Sequence, residues 1–405
     1  MRCPTALDLV AQTQVLFSGK STDMWRSLAS SVLTLLLVGT FVAGGVLMWA
    51  RGQVNDSGPL AQAICIKVES GSNMRTLSDR LEGQGAVSSA SLFRLGADYA
   101  EKSAQLKAGS FLLPAGASMT QIVDIVTRGG ASTCGTEVVF RIGINRATVQ
   151  VRELDPVTGR YSERASFNPN TDAAPEAYSR VKSETGTRFR ISLAEGVTSY
   201  QVLRELEQID VLEGAVPDLP PEGSLAPDSY EVRPGDTRQS VVDRMRRAQQ
   251  RVLSDAWDNR VAGLPYASPL EALVMASIIE KETGVSSERR RVASVFVNRL
   301  REGWRLETDP TVIYGITKGQ GSLGRGLRRS ELDRRTPWNT YVIDGLPPTP
   351  IANPGRAAIE AALDPEDTDY FFFVADGSGG HEFNTTLRAH NQAVARLRAR
   401  EASGN

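Results

Sequence analysis

The alternation of apolar and polar positions separates one long apolar run from the shorter patterns that follow it. From Leu28 to Ala50 (LASSVLTLLLVGTFVAGGVLMWA) no charged side chain occurs. As a helix this run measures about 34 Å, enough for a hydrocarbon core of roughly 30 Å. Trp25 and Trp49 bracket it as interface aromatics do, and Arg26 and Arg51 mark its ends. The run is too long for the apolar stretch of a cleaved signal peptide. It also closes on bulky Met48 and Trp49 rather than on a small-x-small cleavage site. A transmembrane helix over 25–50 is therefore expected. Arg2, Lys20 and Arg26 lie before the span against Arg51 after it, which places residues 1–24 inside and everything from 51 outside. Met24 offers a second start, so 1–23 need not belong to the functional chain. A polar Gly/Pro linker is expected over 51–60.

Beyond the linker one pattern recurs. A short β-like run is followed by a glycine, then by apolar residues six and ten positions later: Gly71 with Leu77 and Leu81, Gly116 with Ile122 and Val126, Gly196 with Val202 and Leu206, Gly235 with Val241 and Met245. This predicts strand, tight turn and an amphipathic helix with its core stripe at i and i+4. Residues 144–187 break the rhythm. The turn signal DPVTGR at 155–160 and the polar stretch NPNTDAAPE at 168–176 predict an inserted hairpin plus a loop, with no chemistry. Residues 396–405 read as a frayed polar tail.

Composition adds limits. With 46 basic and 47 acidic residues the formal net charge is -1, so no global attraction to nucleic acid is expected. Three cysteines (Cys3, Cys65, Cys134) and two histidines (His381, His390) form no cluster of zinc-ligand spacing, and no metal or cofactor is expected. Cys65 and Cys134 either pair in an oxidising compartment or remain two separate thiols.

The candidate chemistry begins at Ser268-Pro269-Leu270-Glu271, which reads as N-cap, first helical position and capping-box acid. A helix apolar almost all round runs from Leu273 to Thr283, with Gly284 as its stop. Glu280 and Glu282 stand at its end, and helical angle does not separate them. Burial there raises a carboxyl pKa, which suits a general acid. The alternative for Glu280 is a salt bridge with Lys281 or an arginine among 289–291. A second helix, 287–302, ends at Gly303 and carries the stripe Val292, Val295, Phe296 and Leu300. Asn298 lies beside that stripe and either orients Glu280, bonds a sugar or is a satisfied structural amide. Thr308, Asp309 and Thr311 of LETDPTVIYG can bond sugar hydroxyls, with an Asx turn as the alternative for Asp309. PWNTY (337–341) and GLPPTPIANPG (345–355) read as stiff loops, and YFFFVADGSGGHEF (370–383) as a buried strand, a turn and a return strand carrying His381.

In order and spacing, EALVMASIIEKETGVSSERRRVASVFVNRL, RLETDPTVIYG, TPWNTY, GLPPTPIANPG and FFFVADGSGGHEFNTT resemble the YceG-like (MltG-type) family of endolytic murein transglycosylases. The strong likeness covers about 268–391. A weaker one covers the anchor and EGSLAPDSY at 222–230, and VESGSNMRTLSDRLEGQGAV with LKAGSFLL resembles a LysM-like glycan-binding unit. The resemblance implies an α+β protein: a transmembrane helix, a small LysM-like α/β module over 61–130, a strand/helix module over 131–262 and a catalytic core over 263–395. It implies a bacterial plasma-membrane location, with the catalytic domain in the periplasm or exterior, and peptidoglycan strands, with cell-wall synthases, as partners. The first Glu of the E-K-E-T motif falls on Glu280 as catalytic residue. Asn298, Glu307, Thr308, Asp309, Tyr314, Asn339, Tyr341 and His381 fall on positions lining the cleft. Glu307 stands where the family usually has Gln, and Trp338 where it usually has Tyr. The implied reaction cuts the MurNAc–GlcNAc β-1,4 bond of nascent strands to leave 1,6-anhydroMurNAc ends, which ends strand elongation. Two alternatives are a hydrolytic muramidase using Asp309 or Glu307 as a second carboxylate, and a non-catalytic wall-binding scaffold. Arg325, Arg328, Arg329, Arg334 and Arg335 form either a solvated loop or a contact for peptide-stem carboxylates.

Overall fold

A computed structural model of the chain describes residues 8–128 and 132–403, the side chains of 8–27 and 403 excepted. Arg2, and the side chains of Lys20, Trp25 and Arg26, on which the expected orientation rests, lie outside the described residues. Two compact units make up the chain, Met1–Cys134 and Gly135–Asn405.

The first unit opens with helix α1 (Asp8–Asn55), in which Leu28–Asn55 is long and apolar enough to cross a membrane, with a mean hydropathy of 2.2. Leu35, Phe41 and Met48 on it are fully open to the surroundings, an apolar surface that lipid would cover. The linker expected over 51–60 is corrected in its first half, because α1 continues through Asn55. Packing holds those residues helical: Val54 lies against Gly96, and Thr120 Oγ1 donates to Asn55 Oδ1 at 2.8 Å. There follow β1 (Ile64–Val68), α2 (Met74–Gly83), α3 (Ala90–Tyr99), β2 (Gly109–Leu113) and α4 (Met119–Thr127). β1 and β2 pair antiparallel, Ile64 opposite Leu113. Leu81, Phe93, Leu113, Ile122 and Val126 are buried in one cluster.

Cys65 and Cys134, separated by 69 positions with Cα atoms 5.7 Å apart, form a disulfide. The alternative left open by the sequence thus resolves to pairing. By loop-closure entropy a bridge of this span is worth roughly 4 kcal/mol. Cys65→Ser with Cys134→Ser should therefore lower the urea midpoint of this unit, read by protease cleavage within 61–134. An unchanged midpoint would remove the bridge's structural role.

The second unit contains β3 (Thr136–Ile142), β4 (Ala147–Leu154), β5 (Tyr161–Phe167), α5 (Glu176–Lys182), β6 (Arg188–Leu193), α6 (Ser199–Glu207), β7 (Ser229–Val232) and α7 (Arg238–Asp258). Its sheet has the order β5-β4-β3-β6-β7, and only β3 and β6 run parallel. The inserted hairpin is β4–β5, turning at 155–160. Part of the expected loop is α5, whose Tyr178 and Val181 are buried against the sheet core. The remaining elements are α8 (Pro269–Glu282), α9 (Arg289–Arg301), α10 (Asp309–Thr317), α11 (Arg329–Leu332), α12 (Arg356–Leu363), the antiparallel pair β8 (Phe372–Ala375) and β9 (His381–Asn384), and α13 (Leu387–Ser403).

The glycine repeat is strand, turn and helix at every copy. Gly71, Gly116, Gly196 and Gly235 have φ of 80°, 67°, 76° and 90°, and the paired apolar residues after each are buried. Two positions past each glycine stands the N-cap: Asn73, Ser118, Thr198 and Thr237, each accepting from a backbone N–H three residues on. Such caps stabilise a helix by about 1 kcal/mol.

The boundary expected at 262/263 lies within the compact unit Gly135–Asn405. α7 explains this, since Val241, Val242 and Met245 pack in the sheet core while Val252, Leu253 and Trp257 pack on the α8/α9 core. The expected tail is helix as far as Ser403, pinned by Arg396 to Glu382 (2.5 Å) and by Arg400 Nη1 to Asp376 O (2.6 Å); residues 404–405 lie outside the described ones. The strand at 372–375 is half-buried rather than buried.

Candidate active site

Helix α8 starts as its sequence dictates. Ser268 Oγ accepts from Glu271 N–H at 3.3 Å, and Pro269 occupies the first turn. Glu271 itself reaches past the cap to Ala267 N–H at 2.6 Å. Every residue from Ala272 to Ile279 is buried, which explains the lack of a polar face. The helix ends on Thr283, in extended conformation at φ -137°, and not through a left-handed glycine at 284. Glu280, Lys281 and Glu282 therefore leave the core together. At about 100° per residue they point in different directions.

Glu280 is half-buried. Its Oε2 accepts the backbone N–H of Gly355, the N-cap of α12, at 2.9 Å. Among the described residues it has no salt bridge: Arg289, one of the expected partners, pairs with Glu195 at 3.4 Å. Burial raises its pKa; the Gly355 N–H opposes that, Glu195 adds to it, and Arg289 and Lys281 oppose it. A Cβ at Gly355 would fall 1.9 Å from Glu195 Oε1, so a side chain there would first have to displace the exposed Glu195 carboxylate. A Cβ added at Gly196 would meet the side chains of Ile144 (3.4 Å), Glu280 (3.6 Å) and Lys281 (3.6 Å). Lys281 lines a groove of about 390 Å³ together with Ile144, Pro310, Ile313 and Tyr314. Its Nζ donates to Gly196 O at 3.4 Å, and burial lowers its pKa.

Most of the other residues singled out by the sequence gather around Glu282 instead. Thr308 Oγ1 donates to Glu282 Oε1, while Thr308 N–H donates to Thr340 Oγ1 at 3.0 Å. Tyr341 donates to Asp309 Oδ1 at 2.8 Å. Burial raises the Glu282 pKa, the Thr308 hydroxyl opposes it, and Asp309 adds to it while His381 and Arg299 oppose it. Glu307 is exposed and holds a left-handed φ of 49° beside this cluster. His381 is tied to Glu288, Nδ1 to Oε2 at 2.7 Å and N–H to Oε1 at 3.0 Å.

Two amides are tied to backbone carbonyls. Asn298 Nδ2 donates to Thr368 O (2.7 Å) and Tyr370 O (3.0 Å). Asn339, fully buried, donates to the carbonyls of Glu331, Leu332 and Arg334 and accepts from Tyr341 N–H. Trp338 packs against Tyr314, donates from its indole N–H to Thr349 Oγ1 at 3.0 Å, and carries the Lys318 ammonium 3.4 Å from its ring centre. In the arginine loop, Arg325 pairs with Glu331 (2.6 Å) and Arg329 with Asp333 (3.2 Å).

Two residues of the site carried little sequence signal. Glu222, from EGSLAPDSY, is half-buried, and desolvation raises its pKa; its Oε1 accepts from Ser199 N–H at 2.8 Å and its Oε2 from Tyr314 OH at 3.3 Å. Asn353 is fully buried within the proline loop and bonds Leu225 N–H and Val197 O, both at 2.9 Å. An Asn between prolines in an otherwise apolar loop was the available cue. Among the described residues no group of three or more His, Cys, Asp or Glu is placed to hold a metal ion.

The chain is similar to known proteins over most of its length. The model of the YceG-like family matches residues 66–396, running through residues 66–130 without setting them apart as a LysM-like module. An endolytic murein transglycosylase of Bacillus subtilis (strain 168) is 27% identical over 334 residues, 81% of this chain and 83% of that protein. One from Streptococcus pneumoniae (strain D39) is 27% identical over 347 residues, 82% of this chain and 58% of that one. The crystal structure of a yceG-like protein from Listeria monocytogenes aligns with a TM-score of 0.43 and 25% identity, covering 82% of this chain and 99% of that one.

Proposed function

The chain belongs to the YceG-like family, and we propose that it is a membrane-anchored endolytic murein transglycosylase with Glu280 as its acid/base. The observation that carries this reading is the state of Glu280: half-buried, without a salt bridge among the described residues and held by one backbone N–H, next in sequence to Lys281, which lines the groove. The raised pKa keeps the carboxyl protonated further toward neutrality, as a general acid needs. Its proton passes to the glycosidic oxygen as the C1–O bond of MurNAc breaks. The C6 hydroxyl of the same MurNAc then attacks C1, and the Glu280 carboxylate takes the hydroxyl proton. The carboxyl is restored, no water is consumed and the new end is 1,6-anhydroMurNAc. Because the nucleophile is intramolecular, one carboxyl group suffices, in contrast to the paired carboxylates of glycoside hydrolases. Of the two carboxylates a hydrolytic muramidase would call on, Asp309 is bonded to Tyr341 and grouped with Glu282, and Glu307 is exposed beside that cluster.

The disulfide supports an exterior or periplasmic position for everything after the span, since such bonds persist in oxidising compartments. Residues 61–130 would then hold glycan close to the bilayer as a LysM-like unit, and the anchor would confine cutting to nascent strands near the synthases. Mass analysis of products from purified glycan tests the reaction. Ends lighter by one water than a reducing MurNAc are expected. Reducing ends would make the protein a muramidase, and binding without cleavage a scaffold.

A further inference from the structure

The groove beside Lys281 does not stop at Tyr314. Ile144, Asn145, Gln201, Gly321 and Ser322 are shared with a second hollow of about 510 Å³, which runs outward past the β3–β4 turn to residues 168–171. The chemistry of the wall changes along the way. Near Lys281 it offers the Tyr314 ring with Pro310 and Ile313, flat apolar faces of the kind a sugar ring covers. No aromatic residue lines the outer hollow, so a sugar has no ring there to stack on. It presents the amides of Asn168, Asn170 and Gln320 and the guanidinium groups of Arg146 and Arg204. Both arginines are exposed, and neither has an ion-pair partner among the described residues. The acid in the same wall, Glu205, is occupied, accepting from Asn170 Nδ2 at 2.9 and 3.2 Å.

Side-chain amides match the N–H and C=O groups of a peptide, and a guanidinium matches a carboxylate in planar, two-point fashion. We propose that the outer hollow binds the peptide stem carried by the glycan strand, with Arg146 and Arg204 receiving its carboxylates while the sugars lie along the Tyr314 stretch. This rests on the transglycosylase reading and adds a recognition element to it. The inserted turn and loop, mute as sequence, become the stem-reading wall. Of the five arginines at 325–335 that the sequence offered for this role, Arg325 and Arg329 are already paired within their own loop.

The test uses the full chain in detergent and two preparations of uncrosslinked glycan strands, one with free stem carboxylates and one with those carboxylates converted to primary amides. Wild-type protein should cut the free-carboxylate strands with a KM about fivefold lower, the range expected for two exposed ion pairs. Arg146→Gln with Arg204→Gln should abolish that gap and leave kcat on amidated strands unchanged. Both side chains are exposed, so the variant's thermal unfolding should match wild type and exclude a folding defect. A wild type without the gap, or a variant that keeps it, overturns the stem-binding assignment alone. A wild type that cuts neither strand overturns the transglycosylase reading and this proposal with it.

Discussion

Glu280→Gln should fold with an unchanged melting profile and lose cleavage by a factor of roughly 10²–10⁴, the usual contribution of a positioned general acid. Glutamine keeps an acceptor for the Gly355 N–H, so α12 and the proline loop stay in place. What disappears is the proton. The matching pH dependence has a definite sign. The active form is the protonated one, and burial holds the Glu280 pKa above the ordinary carboxylate value. Wild-type cleavage should therefore persist above that ordinary range and decline as pH rises through the raised value. Glu195→Gln removes a neighbouring negative charge that adds to the rise, so the declining limb should move to lower pH. Glu282→Gln is the control that separates the two acids of the motif. It faces Thr308 on another side of the helix end and should retain the acid limb. An inactive Glu282→Gln beside an active Glu280→Gln would transfer the acid role to 282.

Asn353→Ala should destabilise the protein by about 2–4 kcal/mol, the range for leaving several buried polar groups without partners. The Asn353 side chain accepts from Leu225 N–H and donates to Val197 O, with further contacts to Ser199 and Glu222. Its backbone N–H donates to Val197 O, and its carbonyl accepts from Gly196 N–H. These bonds join the proline loop to the turn that begins α6. Loosening them also frees Gly355, two residues on, from its register with Glu280. Urea unfolding should show the lower midpoint, and the remaining folded protein should cut more slowly. A midpoint shift corresponding to less than about 0.5 kcal/mol, within the usual range of neutral surface changes, would show that the loop is held by its prolines alone.

Local elements were legible because their causes are local. Charge-free length marked a helix long enough to cross a membrane, and glycine followed by apolar residues at six and ten marked strand–turn–helix four times. Misread segments were those where distant packing overrode local tendency. Residues 51–55 stay helical against Gly96 and Thr120, α5 forms because Tyr178 and Val181 have a sheet to bury against, and the last helix is held by Glu382 and Asp376. Asn298 and Asn339 show the same limit within the site. An amide next to an apolar stripe or an aromatic reads equally as sugar ligand or loop staple until its partners are known, and here the partners are backbone carbonyls.

By itself the sequence determined an apolar run long enough to cross a membrane, the order of the motifs and the placing of two carboxyl groups at the end of one apolar helix. Those features depend on spacing along the chain. Tertiary structure decided that Glu280 meets Gly355 while Glu282 meets Thr308, that Arg289 turns to Glu195, and that Glu222 and Asn353 support the site from other loops. Burial, hydrogen-bond partners and the resulting pKa are properties of which surfaces meet, and residues about 75 positions apart, such as 280 and 355, meet only when the chain has packed.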